Sequence, residues 1–298
     1  MSSEELVSVA GPHGSLPGIL HWPERPAAPR ACVIMLSAGQ LGRAGPQRLY
    51  VNAARRWAAD GIACLRLDLA GVGDSPLQNA DRHFDGHRPE EAQAAVTYVR
   101  EVLGIETIFL QGLCAGARVA LKCAAHDARI DGVLAWSCPA LSSSDGWPVS
   151  PYEDRSVASA WSTRDTLQSL LRTAVQLLFL RPAWWRDRLL HGREDARQVL
   201  RALRQLGSPS PAPRNPFLAA VDRLQHDGRG ILFIFGQRDT MEVGEFRECF
   251  PAIPEAAQRR QGYHVIPHAT HTFNALDSQR ELIELSTQWL RLRLAGAI

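Results

Sequence analysis

The chain has 298 residues, enough to bury one large α/β core, and its 45% hydrophobic and 21% charged residues are typical of a soluble globular enzyme. A formal net charge of +2 does not indicate a nucleic-acid-binding protein. The amino terminus carries Glu4 and Glu5 where a signal peptide would carry basic residues, and no apolar run approaches the ~20 residues of a membrane span. A cytoplasmic location is therefore expected.

Strand-like and helix-like segments alternate along the first part of the chain. The predicted elements are a hairpin of residues 5–9 and 16–22, a strand at 31–37, a helix at 46–60, a strand at 62–69 and a helix at 89–103. Alternation of this kind favours a mostly parallel central sheet with helices on both faces.

A Gly-Leu-Cys-Ala-Gly motif at residues 112–116 follows the next predicted strand, at 107–111, and opens a predicted helix at 115–126. Glycines on both sides of Cys114 are typical of a sharp strand-to-helix turn, in which a Cβ atom would clash. The motif resembles the nucleophile elbow of α/β-hydrolases, with cysteine in place of serine. At the start of a helix, backbone N–H groups and the helix dipole favour a thiolate.

Two later strands end in an acid and a histidine. Asp239 follows the apolar run at 230–236, and His271 follows the run at 263–267. The order nucleophile, acid, histidine is the one that the α/β-hydrolase fold requires, and it predicts a Cys114, His271, Asp239 triad. His268 is the alternative base.

Between residues 140 and 215 the alternation stops, and Ser- and Pro-rich turns with helix-like stretches replace it. We expect a helical cap here, inserted between the two parts of the core at residues 1–139 and 216–298. Trp184 and Trp185 follow an apolar stretch within it, which is typical of a lid helix packed on the core and could equally form a wall of a substrate pocket.

The core segments resemble bacterial α/β-hydrolases of the exosortase-associated type and hydrolases that accompany natural-product gene clusters. The likeness rests on residues 45–55, on Leu65–Pro76 and on the cysteine motif. More distantly, the cysteine elbow is similar to those of dienelactone hydrolases and polyhydroxyalkanoate synthases. The resemblance implies an α/β-hydrolase fold and acyl chemistry, and it leaves the acyl acceptor open.

The mechanism expected from these residue types is nucleophilic attack by Cys114, with His271 as acid and base and Asp239 holding the imidazole. The backbone N–H groups of Ala115 and Gln40 are the predicted oxyanion donors, although the Gln40 side chain could simply face solvent. Arg118 opposes the helix dipole. It is expected to pair with Asp68 or Asp74 or, alternatively, to bind a substrate anion.

A thiolate leaves more easily than an alkoxide, so productive acylation of Cys114 favours substrates with a good leaving group. The predicted activity is therefore that of a thioesterase, esterase or lactonase, acting on a small acyl substrate, free or presented as a thioester of coenzyme A or a carrier protein. An acyltransferase or cyclase that passes the acyl group to an amine, alcohol or thiol is the alternative. The second alternative is a catalytically silent protein with the same fold that acts by binding. The sequence indicates no particular oligomeric state.

The remaining cysteines lie mostly in apolar segments without a Cys-x-x-Cys pair or a histidine cluster. They are Cys32, Cys64, Cys123, Cys138 and Cys249. Reduced, buried thiols are expected at these positions, with no metal and no cofactor.

Overall fold

The computed structural model of the protein describes residues 3–23, 29–76, 88–140, 216–249 and 262–297. The predicted cap at 140–215, with Trp184 and Trp185, lies outside the described residues apart from Ala140.

One sheet of eight strands organises the described chain, in the order β1-β2-β4-β3-β5-β6-β7-β8. The strands are β1 Ser3–Gly11, β2 Gly14–Trp22, β3 Cys32–Leu36, β4 Ala63–Leu67, β5 Ile108–Leu113, β6 Gly132–Trp136, β7 Gly230–Gly236 and β8 Tyr263–Ile266. The β1–β2 and β2–β4 pairs are antiparallel. From β4 to β8 all pairs are parallel, so the predicted hairpin and mostly parallel sheet are confirmed.

Helices cover both faces of this sheet, as predicted. They are α1 Leu49–Ala59, α2 Arg88–Thr97, α3 Ala115–His126, α4 Pro216–His226, α5 Thr240–Cys249 and α6 Leu276–Leu294. One apolar cluster joins α2, α3 and α4 to the sheet, and the other joins α1 and α6 to the opposite face. Strands β3 to β6 are buried along their whole length, which explains why their sequences are mostly apolar, with Arg66 in β4 and Gln111 in β5 as polar exceptions.

Two predicted helices are interrupted. The segment predicted as one helix at 46–60 begins with a 3-10 turn, Pro46–Arg48, and the positive φ angles of Gln47 (42°) and Arg48 (60°) delay α1 until Leu49. A right-handed helix cannot continue through such angles. The segment predicted at 89–103 starts as α2 and ends in a π-helical turn, Tyr98–Val102.

A buried polar pair joins β2 to β4. Arg66 Nε donates to His21 Nε2 at 2.8 Å, and Arg66 Nη1 donates to the Arg43 carbonyl at 2.8 Å. His21 is fully buried, so burial, together with the charge of Arg66, lowers the pKa of His21 to about 4, against the opposing effect of Glu4. The ring is therefore neutral in the folded protein at neutral pH and accepts the Arg66 hydrogen bond.

This arrangement predicts an acid-sensitive fold. The pKa of His21 is lower in the folded state than in the unfolded state, about 6.5. Its contribution to stability is therefore fully present above pH 6.5 and lost as the pH falls toward 4. We expect His21→Gln, which keeps an acceptor for Arg66, to retain about 3 kcal/mol more of its neutral-pH stability at pH 4 than the wild type.

Urea unfolding between pH 4 and pH 7 measures this difference. His226→Gln is the matched control, because the His226 side chain is 90% exposed and should not change the pH dependence. Identical pH dependence in wild type and His21→Gln would contradict the assignment.

Candidate active site

Cys114 lies at the turn from β5 into α3, at the carboxyl edge of the sheet. Its backbone has φ 54° and ψ −117°, a conformation that side-chain-bearing residues rarely adopt. The Cys114 N–H donates to the Trp136 carbonyl on β6 at 2.9 Å, and its side chain is partly exposed. The predicted sharp turn is therefore present, with the thiol at the start of a helix.

The two glycines of the motif permit this turn through close approach. A Cβ atom on Gly112 would lie 2.1 Å from the Gly116 carbonyl carbon, and one on Gly116 would lie 2.6 Å from the Ser37 carbonyl oxygen. Real Cβ atoms do not come this close to backbone. Both glycines are required for α3 to pack directly against the ends of β5 and β3.

Two neighbouring loops hold the acid and the histidine. The Gln237 and Arg238 N–H groups donate to the Ile266 and Ala269 carbonyls, at 2.9 Å in both cases. Gln237 Oε1 also accepts the His268 N–H at 2.9 Å. These bonds join the loop after β7 to the loop after β8, and so bring Asp239 beside His271.

Of the two candidate histidines, the structure pairs His271 with the acid. His271 Nδ1 lies 2.8 Å from Oδ2 of Asp239, which is only 5% exposed. His268 instead has a positive φ of 59° and an exposed side chain.

The electrostatics of His271 favour its cation. Burial alone would lower the pKa of His271, but hydrogen bonds to Asp239 and Cys114, with the charges of both groups, outweigh burial and raise the pKa to about 10. Because Nδ1 is hydrogen-bonded to Asp239, Nε2 is the ring nitrogen that can hydrogen-bond to Cys114. The three predicted triad residues are thus connected in the order thiol, imidazole, carboxylate.

The predicted oxyanion donors follow the ends of two neighbouring strands, β5 and β3. Ala115 is the first residue of α3, so its N–H has no acceptor within the helix. Gln40 lies in a turn after β3 that is closed by the Leu41 N–H donating to the Ala38 carbonyl at 2.9 Å. Because the Gln40 side chain is exposed, the group of Gln40 that could donate a hydrogen bond to an oxyanion is its backbone N–H.

Asp68 holds the loop that carries Gln40. Its buried carboxylate accepts the Arg43 N–H at 2.5 Å, the Asp74 N–H at 3.0 Å and the Arg43 guanidinium. Arg43 also pairs with the Asp74 carboxylate at 2.7 Å. Arg43 thus bonds to both of the acids that were expected to pair with Arg118. Arg118 itself lies in the first turn of α3 and is 5% exposed.

Arg43 and Gln237 support the site but were not among the residues predicted from the sequence. The position of Gln237 could have indicated a role at the site, since Gln237 directly follows β7 and lies two residues before Asp239. No sequence pattern could have indicated the role of Arg43, because its acidic partners lie 25 and 31 residues away along the chain.

Four other cysteines are buried in the core and form no disulfide among the described residues: Cys32, Cys64, Cys123 and Cys138. Burial raises the pKa of Cys32 to about 12, and it raises the pKa of Cys64 and Cys123 as well. Within the described ranges, no group of three or more His, Cys, Asp or Glu side chains could hold a metal ion.

A shallow polar groove of about 680 Å³ lies at the far end of α3, where His126, Asp127 and Arg129 line it. A helix rises 1.5 Å per residue, so this groove is roughly 17 Å from Cys114 and is separate from the triad. In the parts of the chain that are described, no helix combines the length and apolarity needed to cross a bilayer.

Neither a protein-family model nor a curated protein matches the chain. Solved structures do. They include an α/β serine hydrolase without a lid from Xanthomonas campestris, at 17% identity and TM-score 0.53, with 96% of this chain and 95% of that chain covered.

A dienelactone hydrolase from Anabaena variabilis is similar at 14% identity and TM-score 0.55, with 97% of each chain covered. An esterase from Pyrococcus furiosus is similar at 14% identity and TM-score 0.53, with 97% of this chain and 93% of that chain covered. Identities this low establish shared architecture. Together with the sheet order and the helices on both faces, they show that the chain has the α/β-hydrolase fold.

Proposed function

We propose that this protein is an acyl hydrolase in which Cys114 carries the acyl group as a thioester. The observation that supports this most directly is His271, which bonds to Asp239 at 2.8 Å and interacts with Cys114 at the strained elbow. Nucleophile, base and orienting acid, connected in series, form the arrangement used for nucleophilic acyl transfer on several unrelated folds.

Acylation begins when the Cys114 thiolate attacks the substrate carbonyl carbon and forms a C–S bond. The carbonyl electron pair moves to oxygen, and the N–H groups of Ala115 and Gln40 stabilise that oxyanion. When the intermediate collapses, the bond to the leaving group breaks and His271 gives its Nε2 proton to that group. Asp239 stabilises the imidazolium until the proton has been transferred.

Deacylation reverses these roles. Neutral His271 takes a proton from water, whose oxygen attacks the acyl thioester, and the second intermediate expels Cys114 as the acid is released. An amine, alcohol or thiol in place of water would make the protein an acyltransferase or cyclase by the same steps.

The cysteine restricts the substrate class. A thiolate is expelled from the tetrahedral intermediate more readily than an alkoxide, so a simple alkyl ester would return to starting material. Thioesters and activated enol or aryl esters and lactones carry leaving groups that compete with Cys114. The names of the similar Anabaena and Pyrococcus proteins, a dienelactone hydrolase and an esterase, support this range of substrates.

Intact-protein mass spectrometry with a panel of acyl-coenzyme A thioesters, an aryl ester and an enol lactone tests the proposal. We expect a single acyl adduct on the wild type, which decays in water to free acid. Decay that accelerates with an added amine, alcohol or thiol and yields the acylated acceptor would instead establish a transferase. No adduct and no turnover across the panel would contradict the proposed function and favour a binding protein.

A further inference from the structure

Tyr50 is a buried residue that contacts the strand of the proposed nucleophile. It is the second residue of α1, has no exposed surface, and packs edge-on against Trp136 with ring centroids 6.1 Å apart. Its hydroxyl oxygen accepts the N–H of Leu113, the residue before Cys114, at 3.0 Å. A side chain 63 residues away along the sequence therefore supports the end of β5.

The end of β3 explains why β5 needs this support. The last β3 residue, Leu36, pairs with Gly112, so no β3 residue is left to pair with Leu113. Successive N–H groups along a strand point to opposite sides, and the Cys114 N–H already donates to β6 at Trp136. Without the Tyr50 hydroxyl, the Leu113 N–H would be a buried donor with no acceptor, which is unfavourable.

Tyr50 also contacts the loop that carries the proposed oxyanion donor Gln40. The Tyr50 N–H donates to the Ala44 carbonyl at 3.2 Å, at the end of the loop that follows β3. One residue is thus bonded both to the strand that ends at the thiol and to the loop that carries Gln40.

Gln111 lies next to the Tyr50 hydroxyl. It is two residues before Leu113, on the same face of β5, and it is fully buried. Burial raises the pKa of Tyr50, while Gln111 and the Leu113 N–H oppose that rise, so the phenol keeps a proton to donate. Neither amide atom of Gln111 forms a hydrogen bond of standard geometry with a described residue, so no other hydrogen bond competes with its interaction with the Tyr50 hydroxyl.

We propose that Tyr50 is a positioning residue for Cys114 and that Gln111 orients its hydroxyl. By accepting the Leu113 N–H, Tyr50 holds the strained Cys114 backbone at the distance from His271 that their hydrogen bond requires. The proposal rests on the proposed function for its kinetic effect, but the geometry of the thiol can be measured without any substrate.

Tyr50→Phe keeps the ring and removes the acceptor. With an activated aryl ester, we expect kcat to fall about tenfold while KM changes less than twofold. We also expect the rate constant for alkylation of Cys114 by iodoacetamide at pH 7, measured on the Cys114 peptide by mass spectrometry, to fall about fivefold. Gln111→Met, which keeps the volume and removes the amide, should lower both rates about threefold, and it replaces Tyr50→Phe if that variant does not fold.

Thr287→Val is the matched control. It also deletes one buried hydroxyl that accepts an N–H, here from Trp57 Nε1 at 3.1 Å, between α1 and α6 and without a contact to the triad. We expect a similar loss of Tm with both rates unchanged. Tyr50 variants that behave like Thr287→Val in both assays would overturn the proposal. If no substrate acylates the wild type, the proposed function fails, and the alkylation rates still decide the role of Tyr50.

Discussion

Replacing Cys114 with alanine is expected to abolish the acyl adduct and to lower kcat/KM at least about 10⁴-fold. The reason is that the variant keeps the proposed oxyanion donors and His271 but has no atom that can form the C–S bond. Cys114→Ser should also lose most activity, because a serine hydroxyl must give up its proton during attack and is a weaker nucleophile than a thiolate. Turnover of the panel substrates, with intact mass as the second readout, measures both effects.

Cys123→Ala is the control for this prediction, since Cys123 lies on the same helix and is fully buried. It should form the same adduct as the wild type at an unchanged rate. An adduct that persists in Cys114→Ala, or that disappears in Cys123→Ala, would show that another group carries the acyl chain.

The central features of the fold could be predicted because their causes are local in the sequence. Gly112 and Gly116 mark the elbow, since the turn excludes a Cβ atom at both positions. The buried runs of β5, β6 and β7 are recognisable because strands covered on both faces are mostly apolar, Gln111 in β5 being a polar exception. The break before α1 was not predicted, because it depends on the backbone angles of Gln47 and Arg48, for which the sequence gives no clear signal.

The parts of the site that the sequence left open depend on contacts between distant segments. His271 was predicted as the base, but His268 stayed open as the alternative, since the choice depends on how the loops after β7 and β8 bond to each other through Gln237. The expected pairing of Arg118 with Asp68 or Asp74 stays a prediction, and the bonds of Arg43 to both acids could not be predicted from the sequence. The contact between Tyr50 and Leu113 could not be predicted, because no residue near Tyr50 in the sequence indicates it.

The electrostatic part of the mechanism predicts a large effect of Asp239→Asn. The substitution keeps the shape of the side chain and removes the negative charge 2.8 Å from His271 Nδ1. An amide can also hold the imidazole in the wrong tautomer, with Nε2 protonated and unable to act as a base. We expect kcat to fall about 10³-fold, with little change in the binding of a substrate analogue.

The pH profile separates this explanation from a general loss of structure. In the wild type the pKa of His271 is raised to about 10, so its cation persists in weakly alkaline solution and activity should decline only as the pH approaches 10. Without the Asp239 charge the cation is less stable and loses its proton at lower pH, so the alkaline decline should move toward neutral pH. Asp227→Asn, the same substitution at an ion-paired acid at the opposite end of β7, should leave both kcat and the profile unchanged. A loss of less than tenfold in Asp239→Asn, with the alkaline decline in its original place, would contradict the role of Asp239, because a carboxylate that stabilises the His271 cation cannot be removed without shifting the pH at which that cation disappears.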